Sequence, residues 1–186
     1  MISKDTLLSI NLFGSLNPKD WPFSLADLPP GSALVGGSVR DGLLNKLGQK
    51  PDLDFVIPTN AIEFSEKLSK KINASFVKLD EKRNIARVVV NGWTLDFARQ
   101  VGKNLEDDLF RRDFRINAIA LKLKENPEIF DPTGGMDDLK RKKIVAISEK
   151  NLIDDPLRIL RGFRLMCELN FELEVKTQRF LKTNVD

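Results

Sequence analysis

Two carboxylates, Asp52 and Asp54, stand one residue apart, shortly after the glycine pair of Leu34-Val35-Gly36-Gly37-Ser38-Val39-Arg40-Asp41. A strand alternates its side chains, so acids at i and i+2 leave one face and can hold divalent cations between them. Two metals about 4 Å apart can activate an attacking oxygen and stabilise a departing one. Backbone N–H groups of a Gly-Gly turn that opens a helix can cradle phosphates beside them. The chemistry this predicts is phosphoryl transfer, with a nucleoside triphosphate as the natural ligand.

Each part taken singly has a plainer reading. Acids are common where a strand leaves a turn, and a glycine pair is often only a tight turn. Their conjunction with Arg40 on the following helix and with Asp96 on a later strand points to a phosphate cradle facing a metal site. Asp96 alternates with Leu95 and Phe97. It is compatible with a solvent-facing acid and with a third carboxylate that takes a proton from an attacking hydroxyl or completes a metal shell.

A second cluster runs from Leu105 to Ala118 and contains Arg111-Arg112-Asp113 and Asn117. Asp108 and Arg112 at i,i+4 suit a solvated helical pair, whereas a guanidinium can also clamp phosphate oxygens and Asp113 can accept from ribose hydroxyls. The third cluster is Asp154-Asp155-Pro156-Leu157-Arg158, continued by Arg161 and Arg164. Asp155 before proline reads as a helix N-cap, and Asp155 with Arg158 reads equally as a helix-end salt bridge. Three arginines at steps of three form a ridge that can receive an anion.

The elements that must position these groups follow from local pattern. Expected are a short apolar helix around Leu7 to Phe13, then a surface lead-in through Trp21-Pro22 and Pro29-Pro30. A strand at 33–35, a helix at 38–46, a strand at 53–57 and a helix at 60–72 capped by Asn60 come next. Strands are predicted at 75–79, 85–90 and 93–98, the last two joined by the hairpin signal Asn91-Gly92. A helix is expected from 105 to about 118, extended pieces at 119–123 and 128–130, a turn at Pro132-Thr133-Gly134-Gly135, a short basic helix, and a strand at 143–147. From Asp155 the pattern is all helix. The domain reading is a lead-in at 1–32, a catalytic head at 33–147 and the beginning of a helical neck at 148–186, incomplete at Asp186.

Composition narrows the classes. The 186 residues are 41% hydrophobic and 31% charged, ordinary for a globular chain with a real core. There is no histidine and one cysteine, which excludes histidine catalysis, Cys/His zinc sites and an internal disulfide. A net charge of +3 and a pI near 9.0 permit nucleic-acid binding without demanding it. No apolar run approaches the ~20 residues of a membrane span, and the N-terminus lacks a secretory pattern, so the expectation is a cytoplasmic protein without membrane partners.

In order along residues 33 to 171, the motifs Leu-Val-Gly-Gly-x-Val-Arg-Asp, Asp-x-Asp, Arg-Arg-Asp-Phe-x-Ile-Asn-Ala, Asp-Pro-Thr-Gly-Gly and Asp-Pro-Leu-Arg-x-Leu-Arg resemble the class II tRNA nucleotidyltransferase and poly(A) polymerase family of the DNA polymerase beta superfamily. The resemblance implies an α+β fold: a polymerase beta-like head with a mixed sheet and flanking helices, then an all-helical neck. It implies that Asp52 and Asp54 bind the metals, magnesium in the first instance, with Asp96 as third carboxylate. Gly36, Gly37, Arg40, Arg112 and Asn117 would serve nucleotide binding, and Asp113 would recognise the ribose. Asp155 and Arg158 would read the base edge, with Arg161 and Arg164 lining the same pocket.

An acid and a guanidinium can match the amine-plus-acceptor edge shared by C and A and reject G and U, each mismatch leaving buried groups unpaired at about 1–3 kcal/mol. The implied activity is addition of C, and on an open alternative A, from CTP and ATP to the 3′ end of tRNA. Poly(A) polymerase is the near rival, and a nucleotide-binding fragment without RNA turnover is the reading from a different class. Three departures from the family pattern stand out. Asp154-Asp155 replaces the usual Glu-Asp, the connection 100–104 is far shorter than the family's flexible loop, and the tRNA-gripping body and tail are absent. Members with this loop shortened include CC-adding enzymes.

Overall fold

The computed structural model describes residues 4–184, so residues 1–3 of the expected lead-in and 185–186 of the expected neck lie outside the described residues. In chain order the elements are α1 (Lys4–Ser15), β1 (Ala33–Val35), α2 (Gly37–Leu43), β2 (Leu53–Ile57), α3 (Ala61–Lys71), β3 (Ser75–Asp80), β4 (Ile85–Val90) and β5 (Trp93–Arg99). Then come α4 (Leu105–Phe110), β6 (Ala120–Lys122), β7 (Glu128–Phe130), α5 (Gly135–Arg141), β8 (Lys143–Ile144), α6 (Glu149–Ile153), α7 (Leu157–Leu169), β9 (Glu172–Leu173) and α8 (Val175–Thr183). They fall into two compact units, residues 1–105 with 120–130 and residues 106–119 with 131–186.

The first unit is built on a seven-stranded sheet in the order β3-β4-β5-β2-β1-β6-β7. Only β2 and β5 run parallel, and every other pair is antiparallel. Asn91 (φ 49°) and Gly92 (φ 80°) both take positive φ, the geometry a two-residue turn needs to match strand twist, so Val90 faces Trp93 and the β4–β5 register is set. Helix α3 starts where Asn60 accepts from the Glu63 N–H, while the Asn84 side chain accepts from Ala61 and Ile62. Three of the four orphan N–H groups at that helix end are thereby satisfied.

One face of the sheet carries the core. Phe55 and Phe97 stack at 4.9 Å between ring centroids, with Trp21, Phe23 and Phe64 set edge-on or tilted around them. The expected surface lead-in is therefore corrected at Trp21 and Phe23, which are buried, with the Trp21 indole N–H donating to the Leu16 carbonyl at 2.9 Å. Two large aromatic rings contribute too much apolar surface to leave in water once a partly aromatic sheet face is available.

The second unit corrects the helical reading. The helix expected through 118 stops at Phe110, because the chain after it joins a ladder: Phe114 bridges Ala146, the Arg115 N–H donates to Val145, and the Ile147 N–H donates to Asp113. A short 3₁₀ turn at Arg115–Asn117 follows. The expected strand 143–147 is reduced to β8 and that bridge. The stretch after 155 is not all helix either, since Asn170 (φ 55°) ends α7 in the left-handed conformation and β9 pairs in parallel with β8. Gly162 on α7 admits the Phe114 ring and Leu181 of α8, both fully buried, and a Cβ there would meet them at 2.8 and 2.7 Å.

Candidate active site

In the first unit the sequence pattern becomes a row of side chains on the face opposite the aromatic core. The register sets Val35 of β1 beside Asp54 of β2, Asp54 beside Asp96 of β5, and Asp96 beside Arg87 of β4. Strands lie about 4.8 Å apart, so Asp54 and Asp96 are direct neighbours across the parallel ladder. Asp52 stands just before β2 and is exposed.

The glycine turn closes over this row. Gly36 has φ 76° and ψ −142°, a region essentially reserved for glycine, and a Cβ on it would lie 2.8 Å from Asp54 Oδ2. The backbone thus approaches the carboxylate as closely as a missing side chain allows. Gly37 begins α2, and Arg40 lies one turn on, buried, with Nε and Nη2 donating to the two oxygens of Asp41 at 2.8 and 2.9 Å. Ser38 is also buried there, and its hydroxyl has no hydrogen-bond partner.

Arg87 escaped the sequence reading. Its Nε and Nη2 donate to Asp96 Oδ1 and Oδ2 at 2.7 and 2.8 Å, a fork that holds the carboxylate in one orientation. The hydrogen-bonded Asp96 raises the affinity of Arg87 for its proton above the ordinary arginine value, against partial burial and with help from the charges of Asp52 and Asp54. The cation is therefore permanent and sits within the field of all three acids. Among the described residues no group of three or more acidic, cysteine or histidine side chains is gathered for a metal ion. The available donors are hard carboxylate oxygens beside a backbone cradle that a Cβ would fill, which suits a hard divalent cation.

The second unit holds the other named residues. Arg112 donates through Nη2 to Asp108 Oδ2 at 3.1 Å, while its Nε is buried with no hydrogen-bond partner. Asp113 is buried, with Oδ1 accepting from the Phe114 N–H at 2.7 Å and Oδ2 from Arg161 Nη1 at 2.8 Å. Asn117 ends the 3₁₀ turn and is half-buried. Asp131 receives the Gly135 and Met136 N–H groups at 2.9 and 2.8 Å, and Gly135 packs directly against the Arg115 carbonyl, so the Asp-Pro-Thr-Gly-Gly turn braces the segment bearing Asn117.

Asp155 accepts from the Leu157 N–H at 3.2 Å, which makes it a cap at the entry to α7. Arg158 Nη1 donates to the carbonyls of Asn151 and Arg111 at 2.7 and 3.0 Å. Arg161 reaches Asp113, and Arg164 pairs with Glu168 at 3.3 Å on the exposed side, so the three arginines of the ridge have three different partners. A further positioning residue, Asn151, donates to the carbonyls of Phe110 and Arg112 at 2.7 Å each. Nothing in its spacing announced that role.

A mixed sheet with flanking helices, a glycine turn and carboxylates on adjacent central strands defines a nucleotidyltransferase head. The profile of the poly A polymerase head domain matches residues 32–101 and 96–145, and the chain belongs to that family. It is 47% identical over 161 residues to a CC-adding tRNA nucleotidyltransferase of Synechocystis sp., covering 87% of this chain and 38% of that protein. It is 41% identical to an A-adding tRNA nucleotidyltransferase of Deinococcus radiodurans, covering 85% and 35% respectively. Among solved structures, a CCA-adding enzyme in complex with CTP superposes with a TM-score of 0.79 at 32% identity, over 96% of this chain and 46% of that one. The chain spans little more than a third of the length of the curated relatives it matches. No helix among the described residues is long and apolar enough to cross a membrane.

Proposed function

We propose that this chain carries the catalytic head of a metal-dependent RNA nucleotidyltransferase that adds C, with A as the open alternative, from CTP or ATP to the 3′ end of tRNA. The observation that carries the reading is the Gly36 backbone seated against Asp54, with Asp96 adjacent on the ladder. Catalytic roles go to Asp52, Asp54 and Asp96. Asp52 and Asp54 would hold Mg2+, which when bound supplies charge stabilisation for the α-phosphate and the departing pyrophosphate. Gly36, Gly37 and Arg40 bind the triphosphate, and Asp96, oriented by Arg87, stands to accept the proton of the RNA 3′-hydroxyl.

In the second unit Arg112 and Asn117 serve nucleotide binding, Asp113 the ribose, and Asp155 with Arg158, Arg161 and Arg164 the base. We further assign residues 33–147 to the head and 148–186 to the start of the neck, with the whole protein acting in the cytoplasm. The five-residue connection at 100–104 and the relative named as CC-adding support a product that stops after two cytidines. A poly(A) polymerase would instead extend RNA with ATP alone, and a binding fragment would take CTP without extending anything. Incubating the intact parent protein with tRNA lacking its 3′ end, Mg2+ and each triphosphate singly and paired distinguishes these by product length. Extension by two nucleotides with CTP is expected, and no extension under any combination refutes the reading.

A further inference from the structure

The ladder that joins the carboxylates does not end at Arg87: Val77 of β3 stands opposite Arg87, and Ser75 opposite Val89. On this face Val77 and Val89 are 46% and 39% exposed, and the Arg87 side chain is 40% exposed. The other face of β4 is closed, with Ala86 and Val88 fully buried. An open aliphatic and cationic strip therefore continues directly from Asp96, reaching roughly 14 Å from Asp54 over three strand spacings.

Resting on the function proposed above, we infer that this strip of β4 and β3 receives the last nucleotides of the RNA acceptor. In phosphoryl transfer the attacking and departing oxygens lie roughly in line across the phosphorus. The glycine turn that cradles the leaving phosphates follows β1, on one side of Asp54. The attacking 3′-hydroxyl must come from the opposite side, and there the sheet offers β5, β4 and β3 in that order. A guanidinium has five N–H donors and the Asp96 fork uses two, leaving three that can donate to the terminal phosphodiester. Val77 and Val89 supply apolar surface for the flat faces of base and ribose. Arg87 is thereby a positioning residue for both the carboxylate and the RNA.

The test uses backbone amide NMR on this 186-residue chain, titrated with a single-stranded RNA trinucleotide ending in a free 3′-hydroxyl. Shifts centred on Val77, Arg87 and Val89 are expected. Val89→Glu should weaken binding at least tenfold, whereas Val89→Lys should bind as tightly or more so, a sign reversal that a general loss of folding cannot produce. Arg87→Ala should lower the slope of log affinity against log salt by about 0.7, the share of one phosphate on a single strand. Shifts confined to other surfaces, no shifts, or equal weakening by both Val89 variants would overturn the inference. A parallel titration with CTP and Mg2+ reads residues 36–40 on the same sample, so failure of the proposed function registers there separately.

Discussion

Gly36→Ala attacks the site through the backbone. The residue adopts φ 76° and ψ −142°, where an L side chain costs about 2 kcal/mol of strain. The new Cβ would also lie 2.8 Å from Asp54 Oδ2, so the carboxylate must retreat by roughly half an ångström to reach ordinary van der Waals separation. At about 3 °C per kcal/mol for a chain of this size, the strain lowers the melting temperature by about 6 °C. Displacement of a catalytic group by about 1 Å costs on the order of a hundredfold in rate, so half that movement predicts roughly a tenfold loss.

Gly134→Ala is the matched control. Gly134 has φ 81° and ψ 22°, a left-handed position costing about 1 kcal/mol for alanine, and no atom lies within 4 Å of its added Cβ. It should lower the melting temperature by about 3 °C and leave incorporation at the wild-type rate. Both variants are measured by calorimetry and by incorporation of labelled CTP into tRNA lacking its 3′ end. Wild-type incorporation by Gly36→Ala, or an equal loss in Gly134→Ala, would refute the link between the turn and Asp54.

Asp52→Ala and Asp54→Ala should each abolish incorporation with the melting curve nearly unchanged, and near-normal turnover in both would remove them from the metal site. Arg158→Ala withdraws a donor from the carbonyls of Asn151 and Arg111, so about 1–3 kcal/mol of stability goes together with discrimination among the four triphosphates; a change in melting temperature alone would leave Arg158 a purely structural brace. Burial raises the Asp138 carboxyl above its ordinary value of 3.8, against the attraction of Arg115 and Arg141, and its Oδ2 has no hydrogen-bond partner. The native state therefore holds this proton more tightly than the unfolded chain, a contribution complete below pH 3.8 and lost as pH rises through the raised native value. Asp138→Asn should accordingly be more stable than wild type by about 1 kcal/mol at neutral pH, and denaturant melts should show the gap closing under acid conditions.

Local signals were legible wherever the backbone obeyed its own residues. Asn60 capped α3, the Asn91-Gly92 dipeptide closed the hairpin, and the apolar alternation of 93–98 became β5. They failed where a distant partner decided the conformation. The run from Leu105 to Ala118 is rich in helix-compatible charge, yet Phe114 is fully buried and its neighbours bond to backbone far along the chain, the Arg115 N–H donating to Val145 and the Asp113 carbonyl accepting from Ile147, which a continuous helix would forbid. Asn170 carried a usable signal, since asparagine is the residue other than glycine best suited to end a helix in the left-handed region.

The site was legible to the same degree and for the same reason. Carboxylate spacing along the chain is a local property, so Asp52 and Asp54 could be proposed together from sequence, whereas the place of Asp96 required a register. That register was in fact available: a two-residue turn at Asn91-Gly92 makes Val90 face Trp93, and counting three residues back along each strand sets Arg87 opposite Asp96. An arginine and an aspartate facing each other across an antiparallel pair form a favourable cross-strand contact, and here the fork is closed at 2.7 and 2.8 Å. What no counting could supply was the parallel partnership of β2 with β5, which depends on α3 and the β3–β4 hairpin intervening in sequence while remaining outside that pair in space. Crossover topology, more than any motif, is what brings Asp96 beside Asp54 and sets Arg87 among the candidate acids.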